Sequence, residues 1–170
     1  MAQPEMWLRG QVPGVVWMLQ PAVHAFMQVA EDVGLLVTDL TDAEIWTPPL
    51  GAASIGFHCR HLVGATDRLL TYARGQALSA EQMQFLKTEA QSTEGARTAE
   101  ELTAHVREAM SRAIEAVRAV PDVELSTPRE VGRARLPTTV WGLIFHAAEH
   151  ATRHAGQLAT TVKMVRGMRA

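Results

Sequence analysis

Residues 145–157 read FHAAEHATRHAGQ and place His146, His150 and His154 at intervals of four. A step of four residues advances about 400° around an α-helix, so successive histidines are offset by only about 40° and share one face. One divalent cation could bind two neighbours in such a row. A zinc-type catalytic site usually needs three protein ligands and one open position, so the pattern predicts a further donor from elsewhere in the chain.

The segment GFHCRHL offers two candidates for that further donor, His58 and His61. A lone histidine on an amphipathic helix is more often a core or surface residue than a ligand. Here five of the seven histidines fall in two short helical clusters that are far apart in the sequence. This clustering favours a metal site, with either His58 or His61 as the donor from the first cluster.

Length and composition indicate one folded domain over residues 1–170. The chain is 47% hydrophobic and 20% charged, and its net charge of −2 argues against a nucleic-acid-binding protein. The most apolar stretch, Val12 to Val37, is interrupted by prolines and polar residues, so no membrane span is expected. A single cysteine, Cys59, excludes an intramolecular disulfide. With no recognisable leader, a cytoplasmic location is expected.

Apolar residues recur at three- and four-residue steps in four long segments, each of which predicts a helix. They begin after Pro21, at Ser54, at Thr98, and near Thr138 or Thr139. A capping box at Ser79 predicts one short extra helix between the second and third long helices. Residues 121–137 fit a long loop or a small hairpin. The expected fold class is therefore all-α, a four-helix bundle in which metal sites form from inward side chains on facing helices.

Two segments resemble the DinB/YfiT-like superfamily, a group of four-helix-bundle metalloenzymes. They are HCRHLVGATDRLLTYARG at residues 58–75 and HAAEHATRHAGQL at residues 146–158. The helix order and chain length also agree, so the likeness extends over most of the sequence. It implies the same bundle fold and a divalent metal ion.

The resemblance carries the metal ligands over to His61, which precedes Leu62, and to His150 and His154, which precede Gly156 and Gln157. His146 becomes an accessory residue, while His58 remains the alternative third ligand. Family members often have arginine directly after the last histidine, whereas this chain has Ala155 there. Zinc and nickel both suit imidazole donors.

Superfamily members include transferases and isomerases that depend on a low-molecular-weight thiol, which implies a small-molecule substrate and a metal-activated thiol. Related proteins often form homodimers, and an apolar amino-terminal stretch favours the same here; it contains Trp7, Val12, Val15, Val16, Trp17 and Leu19. The competing interpretation is a non-enzymatic dimeric bundle whose histidines are structural or act in sensing. Candidates for contacts around the ligands are Glu149, Arg153, Gln157, Asp67 and Arg68.

Overall fold

A computed structural model describes residues 3–92 and 95–169 of the chain. Within these ranges the fold is mostly helical, with six α-helices and one hairpin. The helices are α1 (Gln20–Val37), α2 (Asp42–Trp46), α3 (Ile55–Ala73), α4 (Ala80–Thr88), α5 (Ala99–Arg118) and α6 (Val140–Gly167), and the strands are β1 (Pro128–Val131) and β2 (Leu136–Thr139). Short 3-10 helices occupy Met6–Leu8, Trp17–Leu19, Pro49–Gly51 and Asp122–Glu124.

Side-chain caps determine where the helices begin. The side chains of Ser54 and Thr139 accept hydrogen bonds from the backbone N–H three residues ahead, at the starts of α3 and α6. Full capping boxes open α4 at Ser79 and α5 at Thr98. Such caps satisfy backbone N–H groups that have no partner within the helix. The predicted starts of these helices are therefore confirmed.

The four long helices, α1, α3, α5 and α6, bury their apolar faces against one another. The most extensive helix pairs are α3 with α6, α1 with α6, α1 with α5, and α3 with α5. The core between them contains fully buried large side chains from each helix, among them Phe26, Leu62, Met110, Ile144 and Leu158. The short helix α4 lies between α3 and α5 in the sequence, as the capping box at Ser79 predicted, and it packs on α3.

The all-α expectation needs one correction, because residues 128–139 form a two-stranded antiparallel sheet. Here the hairpin alternative for this segment is the one observed. The Arg129 side chain of β1 donates a 2.8 Å hydrogen bond from Nε to the Ala73 carbonyl at the end of α3. The hairpin thus ties the end of α3 to the start of α6, which follows β2 directly.

The apolar amino-terminal stretch is partly used within the chain's own core. Leu19 is buried, and Val12, Val15 and Val16 pack against the core, whereas Trp7 and Trp17 are 62% and 74% exposed. The homodimer stays a prediction, and of the residues named for it Trp7 and Trp17 are the exposed ones. Among the described residues, no helix has the length and hydropathy needed to cross a membrane.

Leu102→Ala in α5 is expected to lower the free energy of unfolding by about 2–5 kcal/mol, because it leaves a cavity in a close-packed core. The Leu102 side chain is 1% exposed. The matched control is Leu35→Ala in α1, where the side chain is 71% exposed and the expected change is within about 0.5 kcal/mol. Urea unfolding of the two variants measures the difference, and equal effects would contradict the described packing.

Candidate metal centre

The predicted histidines meet where α3 packs against α6. His61 of α3 lies beside both His150 and His154 of α6, with ring centroids 5.1 and 4.5 Å apart, and the centroids of His150 and His154 are 4.6 Å apart. His58, one turn earlier on α3, contacts only the later of the two, His154. The two helices therefore run in opposite directions at this point.

His61, His150 and His154 form one compact cluster of potential ligands, called here the histidine triad. One ring nitrogen from each lies within 4.8 Å of the others, and all three side chains are half-buried. Two nitrogens bound to one tetrahedral zinc ion at about 2.0–2.1 Å would be about 3.4 Å apart. Small side-chain rotations would bring the three nitrogens from their present separations to this shorter distance, so the three donors fit a single divalent ion.

His58 lies behind the triad and touches one of its members. It is buried, and its Nδ1 lies 3.2 Å from Nδ1 of His154, so that one ring donates a hydrogen bond and the other accepts it. If His154 donates, its Nε2 keeps a free lone pair. The geometry thus places His61 in the triad and His58 against the triad.

His146 lies outside the triad. Its side chain is 50% exposed and its Nδ1 is 3.4 Å from Oε2 of Glu149. Glu149 also accepts hydrogen bonds of 2.9 and 2.7 Å from Nε and Nη2 of Arg153. This is an i,i+4 ion pair on the helix surface, as their spacing indicates. His146 and this ion pair border the centre.

A buried carboxylate supports the α3 member of the triad. Glu89 lies at the end of α4. Its Oε1 is 2.6 Å from Nδ1 of His61, and its Oε2 accepts a 3.2 Å hydrogen bond from Nη1 of Arg68. A ligand imidazole in metalloproteins typically donates its second N–H to a carboxylate or a carbonyl, which sets the tautomer and the ring orientation. The chain from Arg68 to Glu89 to His61 has that form.

Gly64 makes room for this arrangement. A Cβ atom built there would lie 2.6 Å from Nη1 of Arg68 and 2.8 Å from the ring of Phe85. The absence of a side chain at residue 64 therefore leaves the space in which Arg68 lies along α3 and reaches Glu89.

Burial keeps the α6 histidines neutral. Loss of solvation, together with the positive charge that the neighbouring histidines acquire on protonation, lowers the pKa of both His150 and His154 to about 4. Burial, reinforced by His61, also lowers the pKa of His58. Burial alone would raise the pKa of Glu89, but the hydrogen bond from His61 and the charge of Arg68 outweigh it and leave that pKa below its usual range. Near neutral pH the α6 nitrogens are thus free to bind a cation, beside a charged carboxylate.

The other residues predicted around the ligands have different positions. Asp67 accepts a 2.6 Å hydrogen bond from Nε2 of Gln82 in α4, on another side of α3 from the triad. Gln157 is exposed and lines a cleft beside His154. Arg68 is the predicted residue that the structure connects to the triad, and it acts through Glu89.

Sequence reasoning missed Glu89. It stands at the start of a polar segment, 28 residues from His61, and nothing in its local pattern distinguishes it from an exposed glutamate. The one available signal was Arg68, which is seven residues from His61 and shares its helix face. A buried arginine on that face requires an anion, which the structure identifies as Glu89.

Several known proteins share this fold. A crystal structure of a conserved protein from Enterococcus faecalis is 16% identical, with a TM-score of 0.63 over 88% of this chain and 97% of that one. A DinB-like protein from Bacillus cereus ATCC 10987 is 17% identical, with a TM-score of 0.60 over 81% of this chain and 89% of that one. At these identities the likeness concerns the fold alone.

No functionally curated protein matches the chain significantly. The sequence profile of the DinB superfamily, by contrast, matches residues 25–158, which is well over half of the chain and includes all five histidines of the two clusters. The chain belongs to the DinB superfamily.

Proposed function

We propose that this chain is a metal-dependent enzyme whose divalent ion is held by His61, His150 and His154. The observation that carries the proposal is the convergence of three imidazole nitrogens within 4.8 Å at the contact of α3 and α6. The four long helices then correspond to the four-helix bundle of the superfamily, with the ion between two facing helices.

The donor set favours a catalytic over a structural role for the ion. Closed structural zinc sites normally use four protein ligands, whereas three histidines leave at least one position open. Three neutral imidazoles also leave the full double positive charge on the ion. Such an ion would act as a Lewis acid that lowers the pKa of a bound water or thiol. Zinc and nickel are the metals that we propose.

Glu89 and His58 are the proposed positioning residues. With Nδ1 of His61 directed at Glu89 and Nδ1 of His154 directed at His58, the Nε2 atoms of both rings remain for the ion. The carboxylate holds the orientation of the His61 ring. Arg68 keeps Glu89 ionised and in place.

The reaction that we propose is transfer of a low-molecular-weight thiol to an electrophilic carbon. The sulfur forms a bond to that carbon, the leaving group departs with its electron pair, and the thiol proton passes to solvent. The thiol must come from a small molecule, because Cys59 is fully buried and burial raises the pKa of its thiol to about 12. The superfamily resemblance supports this class of reaction, and an assay with cellular thiols and electrophilic substrates tests it.

His150→Ala is expected to abolish metal retention in protein purified without a histidine tag. Wild type should contain about one equivalent of divalent metal per chain, and the unfolding midpoint of the ion-free protein should change only modestly because the core folds without the ion. The matched control is His146→Ala, which removes the neighbouring histidine outside the triad and should leave metal content unchanged. Elemental analysis measures both.

Three results would count against this assignment. Wild-type protein without metal would favour the non-enzymatic bundle with structural or sensing histidines. Loss of folding in His150→Ala would indicate a structural ion. Thiol-transfer activity that survives in His150→Ala would show that these histidines do not carry it.

Glu89→Gln is expected to weaken metal binding about 10- to 100-fold, because the neutral amide no longer fixes His61 as a carboxylate does. Glu149→Gln is the matched control: it neutralises an exposed carboxylate beside His146 and should leave the affinity unchanged. Competition with a chelator of known affinity measures both variants, and thermal unfolding checks that the Glu89 variant is folded at the assay temperature. Equal affinities would remove Glu89 from the site.

The stability of the ion-free protein is expected to fall between about pH 6.5 and pH 4. The pKa values of His150 and His154 are lowered in the folded state, so within this window the unfolded chain binds more protons than the folded protein and acidification favours unfolding. Above this window His150 and His154 are neutral in both the folded and the unfolded chain, so their protonation no longer affects stability.

Urea unfolding in the presence of a chelator, at several pH values, measures this effect. The control is the double variant His150→Ala, His154→Ala, which should lose less stability than wild type over the same window. Identical pH profiles would mean that the two histidines titrate normally.

A further inference from the structure

A cleft opens beside the histidine triad, on the side of His154 that leads toward the carboxyl-terminal half of α6. It has a volume of about 640 Å³ and reaches both His58 and His154. Its other walls come from the segment before α3, from Phe57, and from successive turns of α6. The volume lies within the range of small-molecule sites, and the cleft is continuous with one ligand of the proposed ion.

Gly156 lines this cleft without contributing a side chain. It lies within α6 and lines the cleft, and a Cβ atom built there would meet no heavy atom within 4 Å. Glycine inside a helix is less favourable than alanine by about 1 kcal/mol. No close packing in the described structure requires glycine at this position, whereas a side chain there would occupy the cleft.

Apart from the proposed ion, the charges on the walls of the cleft favour an uncharged ligand segment. None of the described residues that line it is a carboxylate, so a cationic ligand would find no counter-ion. The one guanidinium, that of Arg153, is already engaged by Glu149, and an anionic ligand would have to compete with that carboxylate. The remaining walls combine apolar side chains with neutral amide and hydroxyl groups, including Phe57, Met164, Gln157, Thr160 and Thr161.

We propose that this cleft, named here the Gly156 cleft, binds the uncharged, largely apolar segment of the substrate while the reacting end of that substrate lies at the histidine triad. The inference rests on the proposed metal-dependent function and adds a substrate class to it. Phe57 is shared between the two regions, because its ring stacks on His61 at a centroid distance of 5.2 Å and an interplanar angle of 20°. A substrate that extends from the cleft to the triad would pass along this ring.

The first experiment uses the ion-free protein, so that its result does not depend on metal binding. Nitrogen-15 NMR spectra are recorded while 1-hexanol, hexylammonium or hexanoate is added. We expect 1-hexanol to shift the amide signals of Gly156 and Thr160, with smaller shifts from the two charged probes and none at Gly167. Absence of shifts at Gly156 and Thr160, or equal shifts with all three probes, would overturn the proposed ligand class.

The second experiment tests whether a ligand that is bound at the metal centre extends into the cleft. It uses zinc-loaded protein and a series of alkyl hydroxamates, whose head group binds zinc. From acetohydroxamate to hexanohydroxamate, each added methylene should tighten binding about two- to fourfold as it enters the cleft. Gly156→Leu should remove this dependence on chain length while metal content and acetohydroxamate affinity stay as in wild type. Calorimetry measures the affinities.

Gly167→Leu is the matched control, since Gly167 is a second glycine of α6 whose added Cβ would also meet nothing within 4 Å, and it does not line the cleft. It should retain the full dependence on chain length. A dependence that persists in Gly156→Leu would overturn the inference. Failure to load either zinc or nickel would refute the proposed function instead, and the hexanol experiment would then test ligand binding in the cleft by itself.

Discussion

The antiparallel contact between α3 and α6 is the constraint on which the candidate site depends. Both helices bury apolar residues such as Leu62 and Ile144 in the common core, and close packing of these residues sets the register between the helices. His61 lies at the edge of that contact, and the register places it between His150 and His154. A slide of one helical turn, about 5.4 Å, would separate the three nitrogens.

The electrostatics of the centre follow from the same packing. Half-buried histidines resist protonation, so the α6 pair stays neutral and available to a cation. Burying the charged pair of Arg68 and Glu89 costs solvation energy that an apolar pair would not lose. The other oxygen of Glu89 contacts His61, so this costly pair fixes the orientation of a triad histidine, which accounts for its position better than stability does.

The two sides of the triad differ in chemistry. On one side Glu89 and Arg68 form a closed, polar support beneath His61. On the other side His154 borders an open cleft with apolar and neutral walls, where Gly156 contributes no side chain. The triad histidines are therefore supported from one direction and border an open cleft on the other.

Short-range physics made the helices predictable from sequence. Caps such as Ser54 and Thr98 act over three residues, and the sharing of one face by the α6 histidines follows from helix geometry alone. The elements and one face of the site could therefore be identified without coordinates.

His58 and His61 differ by about 60° around α3, and both lie near its apolar stripe, so sequence could not separate them without the family resemblance. That choice depends on the rotation of α3 against α6, which is set by side-chain packing across the whole core. Glu89 was hidden for the same reason: its burial and its contact with His61 arise only when α4 folds back on α3, 28 residues along the chain, and no local pattern encodes that approach.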